Sequence, residues 1–152
     1  DARKPFEVLR TDFNEGMAQF SPDGKWIAYQ SDRTGRPEIY VRPFPAGDDR
    51  RVSIDGGSQV RWNPKGRELF FISSDDRMMA VPITFSADGT TVAAGTPTAL
   101  FAANSVGSTV PLVYRQQYLV SPDGQSFILN STVGEGRASP ITVILNWDAR
   151  HR

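Results

Sequence analysis

One short pattern recurs three times along the chain: Phe20-Ser21-Pro22-Asp23-Gly24-Lys25, Trp62-Asn63-Pro64-Lys65-Gly66-Arg67 and Val120-Ser121-Pro122-Asp123-Gly124-Gln125. Proline presets φ at the first corner of a turn, and glycine two residues later accepts φ > 0. Each copy therefore predicts a tight hairpin with Gly24, Gly66 and Gly124 left-handed. Pro22 and Pro64 are 42 residues apart and Pro64 and Pro122 are 58 apart, so the second unit carries an insertion. An apolar run follows each turn, as Trp26-Ile27-Ala28-Tyr29, Leu69-Phe70-Phe71-Ile72 and Phe127-Ile128-Leu129. Its apolar residues are consecutive rather than alternating, which requires cover on both faces of the strand.

A repeat of roughly 40–45 residues, turn-punctuated and covered on both faces, is the signature of a four-stranded propeller blade. The expected fold class is all-β, a β-propeller fragment of about three antiparallel blades with no helix beyond a turn or two. Residues 13–56 form the first blade, 57–104 the second and 105–152 the third, in one partial domain. In the first, strands are expected at Met17–Phe20, Trp26–Gln30, Glu38–Arg42 and Arg50–Ile54, with Asp32–Pro37 as a turn. The second repeats this at Gln59–Trp62, Leu69–Ser73, Met78–Ile83 and Thr98–Phe101. Phe85-Ser86-Ala87-Asp88-Gly89 imitates the motif too soon after Trp62 for another blade and is read as a decoy turn. The third offers Gln116–Val120, Ser126–Ser131 and Ile141–Trp147 but no fourth strand. Pro5–Thr11, within residues 1–12, is expected to be that orphan outer strand, since propellers close by letting one terminus complete the other's blade.

The first motif, with Ser31-Asp32-Arg33-Thr34-Gly35 and Glu38-Ile39-Tyr40-Val41, resembles TolB-like (WD-like) propeller repeats; the second unit departs with Asn63 and Lys65. Pro140-Ile141-Thr142-Val143-Ile144-Leu145-Asn146-Trp147 resembles the end of propellers fused to bacterial membrane-anchored serine/threonine kinases. The resemblance implies a sensor-like part of a longer bacterial protein in the periplasm or another extracytoplasmic space. The start at Asp1-Ala2-Arg3-Lys4, without Met, is read the same way.

Chemistry is sparse in this sequence. No cysteine is present, which excludes disulfides, thiolate metal sites and cysteine nucleophiles. Seventeen basic and seventeen acidic residues balance, giving no global field for nucleic acid or an anionic membrane, and no apolar run is long enough to insert in a bilayer. The lone histidine, His151, has no partner cluster, and no GxSxG elbow occurs. Asp48-Asp49 and Asp75-Asp76 read as turn caps rather than calcium ligands, and Gly134-Glu135-Gly136 as a hairpin loop. Trp26, Tyr29, Tyr40, Trp62, Phe70, Phe71, Phe127 and Trp147 read as interblade core rather than a base-stacking platform. The expectation is therefore no catalytic residue, metal, cofactor or nucleic-acid partner, and a protein that is not an enzyme.

Two groups stand out as binding candidates. In propellers the first strand of each blade lines the central channel, and here it is unusually polar: Glu15, Gln19, Gln59, Arg61, Gln116 and Gln117, with Met17 among them. Asp32, Arg33 and Arg36 in the first loop could take a carboxylate or a partner peptide. The leading reading is a noncatalytic scaffold that binds a protein or small molecule through its channel mouth and loops. A part of a larger enzyme or receptor kinase, with peptidase-type gating or lactonase-like hydrolysis, stands beside it, as does a purely structural half-propeller. Three blades cannot close a ring, so a homodimer of six blades is expected, each Pro5–Thr11 strand pairing with Ile141–Trp147 of the other chain.

Overall fold

The computed structural model describes residues 4–105, 115–131 and, as backbone, 141–144. Three antiparallel sheets follow one another along the chain, and the described residues contain no helix. The first sheet runs in the order β1 (Glu15–Phe20), β2 (Trp26–Ser31), β3 (Glu38–Pro43), β4 (Arg50–Arg51). The second contains β5 (Ser58–Trp62), β6 (Glu68–Ile72) and β7 (Arg77–Phe85), and β7 pairs with both β8 (Val92–Ala94) and β9 (Thr98–Ala102). The third is β10 (Tyr118–Val120), β11 (Phe127–Asn130), β12 (Ile141–Ile144).

The repeated motif builds the β1–β2, β5–β6 and β10–β11 hairpins. Gly24, Gly66 and Gly124 adopt φ of 71°, 76° and 73°, as their place in the turn requires. The wiring is side chain to backbone: the Ser21 hydroxyl donates to Asp23 at 2.6 Å and accepts from the Trp26 amide at 3.0 Å. Ser121 repeats it with Asp123 and the Ser126 amide. In the second blade Asn63 replaces the serine, its Oδ1 accepting from the Lys65 amide and its Nδ2 donating to Glu68.

Consecutive apolar residues in each central strand face opposite neighbours. Trp26, Ala28, Ile39 and Val41 of the first sheet pack against Val60, Trp62, Leu69, Phe71, Val81 and Ile83 of the second. From the other face of the second sheet, Phe70, Ile72, Met78 and Ala80 meet Tyr118, Phe127 and Leu129 of the third. Each buried Val, Leu, Ile, Phe or Met among them contributes roughly 1.5–3 kcal/mol relative to exposure. Of the aromatics expected between blades, Trp26, Trp62, Phe70, Phe71 and Phe127 lie there, whereas Tyr29 and Tyr40 are buried on the outer face of the first sheet under Val8 and Leu9. Trp147 lies outside the described residues.

Four expectations need correction. Pro5–Thr11 is not a strand: with no partner strand to pair it, it lies across the outer face of the first sheet, with Val8 and Leu9 packed on Ile27, Tyr29 and Tyr40. The supposed decoy at Phe85–Gly89 is a true hairpin joining β7 to β8, wired like the repeats through Ser86, Asp88 and Thr91, and it accounts for part of the insertion. β4 ends at Arg51: the Val52 amide still donates to the Ile39 carbonyl, but the Ile39 amide is taken by the Ser53 hydroxyl instead of a backbone carbonyl, and Ile54 swings out to 60% exposure. In the third sheet the strand begins at Tyr118 rather than Gln116, whose side chain is turned to the neighbouring blade. Residues 145–147 of the expected last strand lie outside the described residues.

Candidate functional site

The innermost strands carry the polar candidates, and their backbone is irregular at one repeated place. β1 bulges between Gly16 and Gln19, and β5 between Ser58 and Arg61. Met17 and Gln59, each five residues before its motif proline, sit at φ of 56° and 58°. Non-glycine residues rarely adopt that conformation, so the neighbours must hold them there.

At Gln59 a run of amides passes between blades. The Gln59 amide donates to Gln30 Oε1 of the first blade at 3.3 Å, and Gln59 Oε1 accepts from the Gln117 amide of the third at 2.7 Å. Gln117 Oε1 then accepts from Asn130 Nδ2 at 2.8 Å. Gln59 and Gln117 are buried, so these two candidates serve as joints between blades.

The other inner-strand residues keep contact with solvent. Glu15 is half-buried and accepts from Thr11 Oγ1 at 2.5 Å and from Ser31 Oγ at 3.1 Å. Gln19 is half-buried, and its backbone carbonyl accepts from the Trp62 indole of the next blade at 3.2 Å. Gln116 Nε2 donates to the Val60 carbonyl at 3.1 Å, while its Oε1 is buried without a partner. Arg61 Nε and the Tyr118 hydroxyl are likewise buried and unpartnered. Burial pushes the Tyr118 hydroxyl well above the ordinary phenol range, and the nearby Arg61 charge opposes that shift. Tyr118 falls within the expected strand Gln116–Val120, and no sequence pattern marks its hydroxyl as buried.

The loop candidates are engaged within the first blade. Asp32 accepts from the Asn14 amide and from Asn14 Nδ2 at 2.9 and 2.7 Å, and the side-chain bond chiefly holds its carboxyl below the usual value. Arg33 donates to Asp49 at 2.7 Å and lies 3.6 Å from the Tyr40 ring centroid. Arg36 bridges Glu38 and Asp55, both at 3.0 Å. Of the acidic pairs, Asp49 serves Arg33, and Asp76 accepts from the Ser105 amide and hydroxyl at the start of the third blade. Among the described residues no group of three or more His, Cys, Asp or Glu converges as a metal site. His151 and the 134–136 loop lie outside them.

No protein-family model matches the sequence. Among curated proteins, tricorn protease homolog 2 of Streptomyces coelicolor is 42% identical over 52 residues, which are 32% of this chain and 4% of that protein. Among solved structures, TolB from Acinetobacter baumannii superposes with a TM-score of 0.58 at 18% identity, covering 93% of this chain and 31% of that one. An oligogalacturonate lyase in complex with manganese gives 0.58 at 14%, covering 91% and 36%. The chain thus spans about a third of the length of these structures and a small part of the protease homologue.

These neighbours correct one expectation. The sequence shows no catalytic motif and so points to a non-enzyme, yet the proteins it is similar to include a lyase and a protease homologue. The reason is physical: a propeller's chemistry is assembled from several blades around one channel, so a third of the ring need not display it. The sheet order, the stacked blades and these superpositions agree, and the chain is a section of a β-propeller with the fold seen in TolB.

Proposed function

We propose that this chain forms part of the wall of a propeller channel that binds a small ligand, as a section of a larger protein. The supporting observation is the division of labour on the inner strands. Gln59 and Gln117 lock blade to blade, while Glu15, Gln19, Arg61 and Gln116 are half-buried and flank that seam. Enzymes that share the fold make the same wall a candidate substrate surface of a catalytic propeller. The extracytoplasmic placement belongs to this proposal; among the described residues no helix is long and apolar enough to cross a membrane. A thermal-shift panel of neutral sugars, small acids and short peptides tests the reading. A ligand present at 100 times its Kd adds about 2.7 kcal/mol of stability. The stabilisation should fall in a Glu15→Gln, Gln19→Ala double variant, and a panel without any stabilising compound overturns the reading.

Assembly is a second reading, favoured by the two ends of the stack. At one end Phe6, Phe13 and Phe20 are 50–64% exposed, and at the other Leu119 and Ile128 are 53% and 42% exposed. Unlike faces of this kind meet head to tail, and two copies related by a two-fold would close a six-bladed ring. Light scattering at micromolar concentration tests it: a dimer is expected, and a stable monomer overturns it.

A further inference from the structure

The carboxylate of Glu38 draws two arginines where one would answer it. It is fully buried at the start of β3, and its Oε2 accepts from the Ser53 hydroxyl and the Gly56 amide. Its Oε1 is met by Arg36 Nε at 3.0 Å and by Arg51 at 3.9 Å. A carboxylate taken out of water needs a charged partner, and Arg36 supplies it with a charge-assisted hydrogen bond. Arg51 stands beyond hydrogen-bond distance, and its side chain makes no hydrogen bond among the described residues.

Both guanidinium groups are half-exposed, so their remaining donors reach solvent. With Thr34, Gly35 and Glu38 they line one cleft of about 270 Å³. Within it two cations face one carboxylate, a surplus of one positive charge. Asp55 also accepts from Arg36, at 3.0 Å, but it stands largely in water outside the cleft, where an ion pair contributes little. Of the loop residues expected to take a carboxylate, Asp32 and Arg33 are engaged within the blade by Asn14 and Asp49, while Arg36 opens onto the cleft. The cleft adjoins β4, the strand of the first sheet farthest from β1, and so lies apart from the channel wall.

These features narrow the ligand. Water would satisfy the donors and leave the surplus charge, and a dianion such as phosphate would reverse it. A carboxylate carries one charge and two coplanar oxygens, which match the planar fork of a guanidinium. The cleft is smaller than the roughly 300–1,000 Å³ of pockets for drug-sized ligands, so it suits a small acid or a single side chain. We propose that Arg36 and Arg51 form a carboxylate-binding site on the first blade, for a small free acid or for a Glu or Asp side chain of a peptide. The site stands independently of the channel reading.

The test is an NMR titration of the full chain at constant ionic strength in chloride. The probes are acetate, acetamide, inorganic phosphate, and a blocked Gly-Glu-Gly peptide beside its Gly-Gln-Gly counterpart. Acetate and the glutamate peptide should shift the Arg36 and Arg51 Nε–H resonances. Acetamide and the glutamine peptide should leave them unmoved, and phosphate should bind more weakly than acetate. A tighter complex with the peptide than with acetate supports the site with a protein side chain as its ligand, and equal affinity supports it with a free acid. Arg51→Gln should weaken acetate binding roughly five- to tenfold, the loss of a charge-assisted hydrogen bond, and leave the thermal midpoint of the free chain unchanged. Arg36→Lys keeps a charge against Glu38 but loses the fork, and should weaken binding several-fold. Asp55→Asn releases a donor of Arg36 and should tighten it. The proposal is overturned if acetate moves neither arginine, if phosphate or chloride acts equally well, or if Arg51→Gln leaves the affinity unchanged. Acetate binding that survives Arg51→Gln but is lost in the Glu15→Gln, Gln19→Ala variant would sink this site and leave the channel reading standing.

Discussion

Gly24 and Gly124 hold the same place in the repeated turn, at φ of 71° and 73°, but their surroundings differ. A Cβ at Gly24 meets nothing within 4 Å, whereas one at Gly124 falls 2.4 Å from Asn63 Oδ1 in the turn of the preceding blade. Gly24→Ala should cost about 1 kcal/mol from backbone strain alone, and Gly124→Ala about 2 kcal/mol or more, measured by urea unfolding. The same turns set an acid response. In Asp123 the hydrogen bond from Ser121, aided by the Gln125 amide, holds the carboxyl below its ordinary 3.8, and Asp23 and Asp88 have the same serine partner. A depressed folded-state value means stability that is full above 3.8 and lost as pH falls through the folded value. Ser121→Ala should therefore flatten the fall in thermal midpoint below pH 4. The left-handed turn glycines were legible because φ preference is local. Met17 and Gln59 were not, because tertiary contacts alone hold a non-glycine residue at positive φ.

Strands are legible in the sequence where the apolar pattern itself carries them and not where pairing decides the outcome. β2, β6 and β11 follow their turns as consecutive apolar runs require. Pro5–Thr11 has the composition of a strand but no edge to join, and a backbone without a ladder does not become one. The β7–β8 hairpin breaks the period of the repeat, yet its geometry depends only on its own Ser-Asp-Gly turn. That hairpin also completes the first interface. Phe85 stacks on Trp26 with centroids 5.0 Å apart and lies 6.3 Å from Trp62. Phe85→Ala should destabilise by about 2 kcal/mol, less than for a fully buried phenylalanine because the ring is half-buried, with the loss read in a denaturant midpoint.

At the scale of the molecule, the number of blades and their stacking were legible from a spacing of 42 residues, but the use of each inner glutamine was not. A polar residue facing a channel looks the same in sequence whether it meets a ligand or the next blade. The end faces make a separable prediction: Ile128→Glu should abolish any dimer and leave the thermal midpoint of the monomer nearly unchanged, since Ile128 is already 42% exposed. Inside the stack, the Gln117 amide proton is held by a side chain of another blade rather than by its own sheet. Deuterium can replace that proton only when the second and third blades part, while the β10–β11 ladder remains free to stay intact. Its exchange rate is thus a clock for blade separation, independent of the unfolding of either blade.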